Sequence, residues 1–375
     1  MSGIYVHIPF CLKKCSYCDF YTVTTIKQKT EYINSLLKEL KQRQNYIIKK
    51  EVETIYFGGG TPSTLNYKEI QLILNEIKSL FSLTNDAEIT LEANPDDLTE
   101  EYVNNLQKTD INRLSIGFQS FFDSDLKQMN RRHNASDIYE SIKFLKNAGF
   151  NNISGDLIYG LPGLTIENWE YNLNEFFKLE IPHLSAYHLT YEPKSVFGNL
   201  LKRGKLKEIT EEESLEQFKL LKKLAEIHGY IHYETSNFAK KGFFSRHNTA
   251  YWQEKPYIGI GVSAHSYNLI SRQFNVSNMK QYMKGVSEDC DYYTKEILSL
   301  SEQYNDYIIT TLRTIWGTDL EKIKYNFGQT YYEYILKQSK KFVLDKYLII
   351  DSNMLKTSAK GKFIEDYILE KLIYI

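Results

Sequence analysis

Three of the four cysteines in this chain fall within eight positions. Cys11, Cys15 and Cys18 are spaced C-x3-C-x2-C. Thiolates this close on a short loop can wrap one metal centre, and iron–sulfur clusters are held by cysteine thiolates. A four-iron cluster offers four irons, and the loop supplies three ligands. Cys290 is far away and has no companion motif. The spacing therefore points to a [4Fe-4S] cluster with one open iron, much as a catalytic zinc keeps one position free. A zinc site would need a fourth ligand nearby. His7 is the candidate, but it sits in a strand-like run (Ile4, Val6, Ile8). Disulfides are disfavoured by three clustered cysteines in a chain without a secretion-signal pattern.

The remaining sequence reads as alternating strands and helices. Strand patterns fall at Val52–Phe57, Glu88–Glu92, Arg113–Gly117, Ile153–Tyr159, Leu184–Leu189 and Tyr230–Glu234. Between them, helical periodicity places Ile33, Leu36, Leu37 and Leu40 on one face, and Ile70, Ile73, Leu74 and Ile77 on another. Further helices are expected at Ser136–Ala148, Ile166–Leu179 and Glu211–His228, the last opened by the capping pattern Thr210-x-x-Glu213. Such alternation implies right-handed βαβ units, a parallel sheet and functional groups at the carboxyl ends of the strands.

From about Ser299 the pattern changes. Helices are expected at Tyr304–Ile315, Tyr331–Lys340 and Gly361–Leu372, with a hairpin over Phe342–Ile350 and Met354–Thr357. This reads as a small winged-helix-like module. A chain of 375 residues exceeds the usual size of one core. We expect an α/β domain over 1–285 and a C-terminal domain over 295–375.

A formal net charge of −1 gives no field for nucleic acid. Lys13 and Lys14 are too short a basic pair to change that. No apolar run spans a bilayer, and no signal-peptide pattern opens the chain. The expected location is the cytoplasm, with no transmembrane segment; peripheral membrane contact is left open.

Several polar signatures follow strands. Gly58-Gly-Gly-Thr-Pro62 suits close approach of backbone N–H groups to a ligand, and it lacks the Gly-Lys-Ser/Thr ending of a P-loop. Glu92, Gln119, Arg131 and Asp156 stand at or beyond later strand ends. Each alone also looks like an ordinary strand-end cap. Gly259-Ile-Gly-Val-Ser-Ala264 fits a loose dinucleotide fingerprint, but no clear helix follows it. His247-Asn-Thr-Ala-Tyr-Trp252 combines two residue types that serve as axial heme ligands with a flat indole. A polar loop sealing the sheet is the plainer reading of the same stretch.

The cysteine loop resembles the radical S-adenosylmethionine (radical SAM) superfamily. Its flanks, Tyr5-x-His-Ile-Pro-Phe-Cys11 and Tyr17-Cys-Asp-Phe20, resemble the HemN/HemW branch, which holds oxygen-independent coproporphyrinogen III oxidase and heme chaperones. The resemblance implies a partial (β/α)6 barrel with a helical, winged-helix-like C-terminal domain. It implies a cluster on Cys11, Cys15 and Cys18, whose open iron takes SAM and cleaves it to methionine and a 5′-deoxyadenosyl radical. It implies SAM contacts from Tyr5, Gly59, Gly60, Thr61, Glu92, Gln119, Arg131 and Asp156, with Arg132 beside Arg131 as the competing choice. The stretch H-N-x-x-Y-W resembles a signature tied to heme handling, which makes His247, Tyr251 and Trp252 the heme candidates.

Two departures separate this chain from the oxidase pattern. Phe20 stands where the oxidase carries a further cysteine, and only ten residues precede Cys11. The expected function is a heme chaperone with a SAM-cluster core, heme or porphyrin as ligand, heme-acceptor proteins as partners and an electron donor such as a flavodoxin. Radical decarboxylation of coproporphyrinogen III is the rival, and another radical SAM reaction the third reading. SAM cleavage is expected; oxidase activity is not.

Overall fold

The computed structural model describes residues 2–47 and 50–374. Six strands, β1 (Ser2–Ile8), β2 (Glu51–Gly59), β3 (Ser82–Ala93), β4 (Arg113–Gln119), β5 (Ile153–Tyr159) and β6 (His183–His188), lie side by side in chain order. All five contacts between them are parallel. Each strand is followed by one or more helices, which makes six βα units.

Alternation along each strand assigns the two faces. Ile4, Val6 and Ile8 of β1, Ile89 and Leu91 of β3, and Leu114 and Ile116 of β4 are buried in the main apolar core with the helix residues Leu36, Ile73 and Phe176. The opposite face carries Tyr5 and His7, Thr54 and Tyr56, Glu88 and Glu92, Arg113 and Ser115, Ser154 and Asp156, His183 and Ser185. Hydrogen bonds Tyr56–Glu92, Thr54–His247 and Ser154–His183 show that these polar residues meet inside the curved sheet.

The sheet does not close. Beyond β6 come β7 (Ile231–His232) and β8 (Asn237–Ala239), both antiparallel to their neighbours. The strand expected over Tyr230–Glu234 is reduced to two residues. Glu234 accepts from the Ser236 N–H at 3.2 Å and from the Asn237 side chain, so the backbone turns instead of extending. On the other side, β9 (Tyr257–Ile260) runs parallel to β1. An antiparallel extension follows: β10 (His265–Tyr267), β11 (Ser271–Asn275) and β12 (Tyr293–Ile297). The dinucleotide-like glycines thus belong to β9 and its turn, and the added Cβ of Gly259 would strike the His265 backbone.

A second apolar cluster gathers Tyr304, Ile308, Leu312, Leu320, Ile323, Ile335, Leu348, Leu355 and Ile368. Its strands β13 (Thr318–Asp319), β14 (Leu348–Asp351) and β15 (Met354–Thr357) form a three-stranded sheet beside four helices. The helix Gln329–Leu344 runs through Phe342, so the hairpin starts later than the sequence pattern suggested. The helix Leu320–Phe327 was not anticipated. Its Asp319 cap accepts the N–H groups of Glu321 and Lys322. Among the described residues, no helix is long and apolar enough to cross a membrane.

Candidate functional site

The chain leaving β1 enters the cysteine loop, and β2 ends in the glycine loop. The two are zipped together. The Gly60 N–H donates to the Ile8 carbonyl and the Thr61 N–H to the Phe10 carbonyl, each at 2.8 Å. The Thr61 hydroxyl reaches the Cys11 sulfur at 3.3 Å. Three glycines are required here by space. A Cβ on Gly58 would lie within 3.1 Å of Tyr5, Tyr56 and Glu92; on Gly60 it would lie 2.7 Å from the Pro9 backbone. Gly59 has a φ of +111°, and a side chain there would collide with the His7 ring.

The cysteine loop is anchored from a second side. The Ser16 N–H donates to the Met129 carbonyl at 2.9 Å, and the Asn130 amide donates to the Lys14 carbonyl at 2.8 Å. Arg131, the next residue, points Nη1 at the Cys15 sulfur at 3.4 Å. Its Nη2 donates to Asn94 Oδ1 at 2.6 Å and to the Gly117 carbonyl at 2.8 Å. Arg132 turns away and pairs with Asp96 and Asp97 at 3.0 and 2.6 Å. Among the described residues no group of three His, Cys, Asp or Glu side chains is arranged to hold a single ion. A four-iron cube makes a different demand, one thiolate on each of three irons.

Glu92 faces the glycine loop. Its Oε1 accepts from the Tyr56 hydroxyl at 2.7 Å and its Oε2 from the Gly59 N–H at 3.1 Å. Burial pushes its carboxyl up to about 7, against the Tyr56 bond and with help from the Asp156 charge. Asp156 is two strands away. Burial lifts it to about 6, opposed by the Ser185 hydroxyl and the Arg113 and Arg131 cations. Asp156 Oδ1 and Arg131 Nε are buried and have no hydrogen-bond partner. Two buried carboxylates, an arginine and orphaned polar atoms on one inner face of the sheet are suited to a zwitterion that also carries hydroxyls. Gln119 adopts a φ of +67°, rare for a non-glycine residue, and its amide packs at Gly117 beside Arg131. Tyr5 lies in the same interior row and bonds His7 Nδ1 at 3.1 Å.

The stretch His247–Trp252 is a short helix, Arg246–Trp252, and it is part of the interior. Glu88 accepts the N–H groups of Arg246 and His247, each at 3.0 Å. His247 is buried. Its Nδ1 meets the Thr54 hydroxyl and its Nε2 the Tyr251 hydroxyl, both at 2.8 Å, while its ring stacks on Tyr56. Burial, then the Arg113 cation, lowers it to about 3. Both ring nitrogens are taken, so in this conformation His247 presents no free lone pair to an iron. Tyr251 and Trp252 instead line a cavity of about 420 Å³ with Tyr187, Glu234, Asn237, Asn248 and Thr310. Thr310 belongs to the C-terminal helix Leu300–Leu312, so this cavity lies between the two apolar cores.

The structure therefore brings Thr61 and Arg131 to the cysteine sulfurs, joins Glu92 to the Gly59 backbone and Gln119 to the surroundings of Arg131, leaves Tyr5 and Asp156 on the same inner face, and sets His247 apart from Trp252. Tyr56 and Asn94 were missed by sequence reading. Strand alternation carries a signal for Tyr56, which is two residues before Gly58 in the same inward row. Asn94 had no signal beyond its place after Glu92.

Six βα units with a three-cysteine loop at the carboxyl end of the first strand define a radical SAM protein. A model of the Radical SAM superfamily matches residues 5–176. The heme chaperone HemW of Lactococcus lactis subsp. lactis (strain IL1403) is 35% identical over 373 residues, covering 99% of this chain and 97% of the relative. HemW of Bacillus subtilis (strain 168) is 35% identical over 333 residues, 88% of each chain. The solved structure of coproporphyrinogen III oxidase (HemN) from Escherichia coli superposes with a TM-score of 0.85 at 24% identity, covering 99% of this chain and 90% of that one, which establishes the shared fold. The chain belongs to the HemW family of the radical SAM superfamily, whose cofactors are a [4Fe-4S] cluster and SAM.

Proposed function

We propose that this chain is a heme chaperone that binds heme and passes it to acceptor proteins, built on a radical SAM core. The observation that carries the reading is the match to HemW across 97% of that relative, cysteine loop and C-terminal module included. Phe20, in place of the oxidase's further cysteine, supports the same side.

Cys11, Cys15 and Cys18 would hold the cluster. Gly59, Gly60, Thr61 and Glu92 would take the ammonium end of SAM, Arg131 its carboxylate and Asp156 its ribose hydroxyls. Tyr5 and Gln119 would line the pocket. When bound, the pair supplies one-electron cleavage of a sulfonium. The protein's own work is to orient the zwitterion between Glu92 and Arg131 and to keep water from it.

Heme would lie in the cavity bounded by Trp252, Tyr251 and Tyr187, where indole and phenol faces suit a flat macrocycle. The C-terminal module, taken as 295–375, would cover it and meet the acceptor. The electron donor would be a flavodoxin-like carrier, and the location cytoplasmic.

The test is anaerobic. The reconstituted protein is given SAM, reductant and coproporphyrinogen III, and protoporphyrinogen is sought by chromatography. In parallel, heme-loaded protein is mixed with an apo-acceptor and transfer is followed by absorbance. Transfer without porphyrinogen product is expected. Product at catalytic turnover would make the protein an oxidase.

A further inference from the structure

The strand β4 ends in a strained turn. Its register with β5 slips between Gly117 and Gln119, so Phe118 is the extra residue of a bulge. The Ser120 N–H then donates back to the Phe118 carbonyl at 2.9 Å, with Gln119 between them at a φ of +67°. A bond from residue i+2 back to i around a positive φ is a γ-turn of the rare, strained hand. Glycine adopts such a turn without cost. Glutamine does so only where its surroundings hold it.

Two side chains hold it here. Arg131 Nη2 donates to the Gly117 carbonyl at 2.8 Å, and His133 Nε2 meets the Phe118 carbonyl at 3.0 Å. Residues 131 and 133 thus cap consecutive carbonyls, while Arg132 between them turns to Asp96 and Asp97. A carbonyl can only accept, so Nε2 carries the proton. His133 is buried, and burial, followed by the Arg131 cation, lowers it to about 3. Near neutrality the ring is uncharged, and its Nδ1 is a bare nitrogen, buried without a hydrogen-bond partner. The one hydrogen bond this ring makes goes to the turn. The turn in turn sets where Gln119 lies. A Cβ on Gly117 would sit 2.6 Å from Gln119 Nε2 and 3.0 Å from Arg131 Nη2, so the amide is folded back over Gly117 beside the guanidinium.

We propose that His133 is a positioning residue of the SAM pocket. Through the Phe118 carbonyl it holds the turn that sets Gln119 beside Arg131, and it acts on the ligand only through them. The proposal rests on the reading that Gln119 and Arg131 face SAM.

The test uses the full chain, both cluster-free and reconstituted. A glutamine at 133 can place an amide N–H where Nε2 stands, whereas an asparagine is one bond too short. His133→Asn is expected to speed hydrogen exchange over residues 117–122 of the cluster-free protein, and His133→Gln to leave it near wild type. Both variants should assemble a cluster with the wild-type visible spectrum. In equilibrium dialysis His133→Asn should bind SAM at least about tenfold more weakly, in the range for leaving a buried carbonyl short of a donor. Its reduced cluster should need correspondingly more SAM to complete the SAM-dependent change in its electron paramagnetic resonance spectrum. His133→Gln should restore both. In a Gln119→Gly background, where the turn carries no strain, His133→Asn should weaken binding by less than about twofold.

Unchanged exchange in His133→Asn would overturn the proposal, and so would a loosened turn with unaltered SAM affinity. Equal weakening by Asn and Gln, or the same loss in the Gln119→Gly background, would reduce His133 to a packing residue. If Gln119→Ala and Arg131→Ala both bound SAM like wild type, the underlying reading of the pocket would fail instead, whatever the exchange rates.

Discussion

Arg131 donates to the Cys15 sulfur across 3.4 Å, while its neighbour Arg132 is committed to Asp96 and Asp97. Adjacent arginines thus divide between site and scaffold. Arg131 spans three acceptors with one planar fork, which a lysine ammonium cannot do. Arg131→Lys is expected to weaken SAM binding by at least about tenfold, equivalent to about 1.4 kcal/mol, with the cluster still assembled. Arg132→Lys should change SAM affinity little. Equilibrium dialysis of labelled SAM against the two reconstituted variants checks both.

Glu92 makes SAM binding depend on pH. Burial holds its carboxyl at about 7, so near neutrality much of it carries a proton. An ammonium ligand needs the carboxylate, and binding must expel that proton. Affinity is therefore expected to rise as pH increases through 7 and to level off beyond, with proton release at pH 6.5. Calorimetry in buffers of different ionisation enthalpy reads that release. Glu92→Gln should bind more weakly and show no such slope. For folding the sign is opposite. A carboxyl raised above its ordinary 4.5 contributes stability that is present at low pH and lost as pH rises through 7.

His247 shifts the other way. Burial keeps it neutral down to about pH 3, whereas in the unfolded chain it takes a proton near its ordinary 6.5. The unfolded state then binds more protons, so stability falls as pH drops below 6.5. Between pH 7 and pH 5 this group alone accounts for about 2 kcal/mol. Urea unfolding of the cluster-free protein at the two pH values should show that loss, and His247→Gln should reduce the difference by about that amount.

How far the sequence could be read follows from how local each signal is. The cysteine spacing, the glycine loop and the alternating strands are local, and they led to the six βα units and to the residues around Cys11. The antiparallel extension was harder. β10 has only three residues, and it is held by a buried network in which Arg43, paired with Glu39 one turn away, bonds Ser266 and Gln273 across 223 and 230 positions of chain. Nothing local announces such a contact. The same holds for His247. Its partners Thr54 and Glu88 lie 193 and 159 positions away, so a motif read as a set of heme candidates could not reveal that its histidine is enclosed.

That enclosure separates the two ends of the short helix Arg246–Trp252. His247 points inward to Thr54 and Tyr251, and Trp252 borders the cavity shared with Thr310. If heme occupies that cavity by stacking, the indole matters and the imidazole does not touch the iron. Trp252→Ala is expected to weaken heme binding by about 1 to 3 kcal/mol, the range for exposing a large flat contact. His247→Gln should bind heme with an unchanged Soret position, because no axial ligand has been removed. A Soret shift on His247→Gln, with Trp252→Ala silent, would mean that the helix unwinds on binding and delivers the imidazole to the iron. Absorbance titration of heme into the two variants decides between these arrangements.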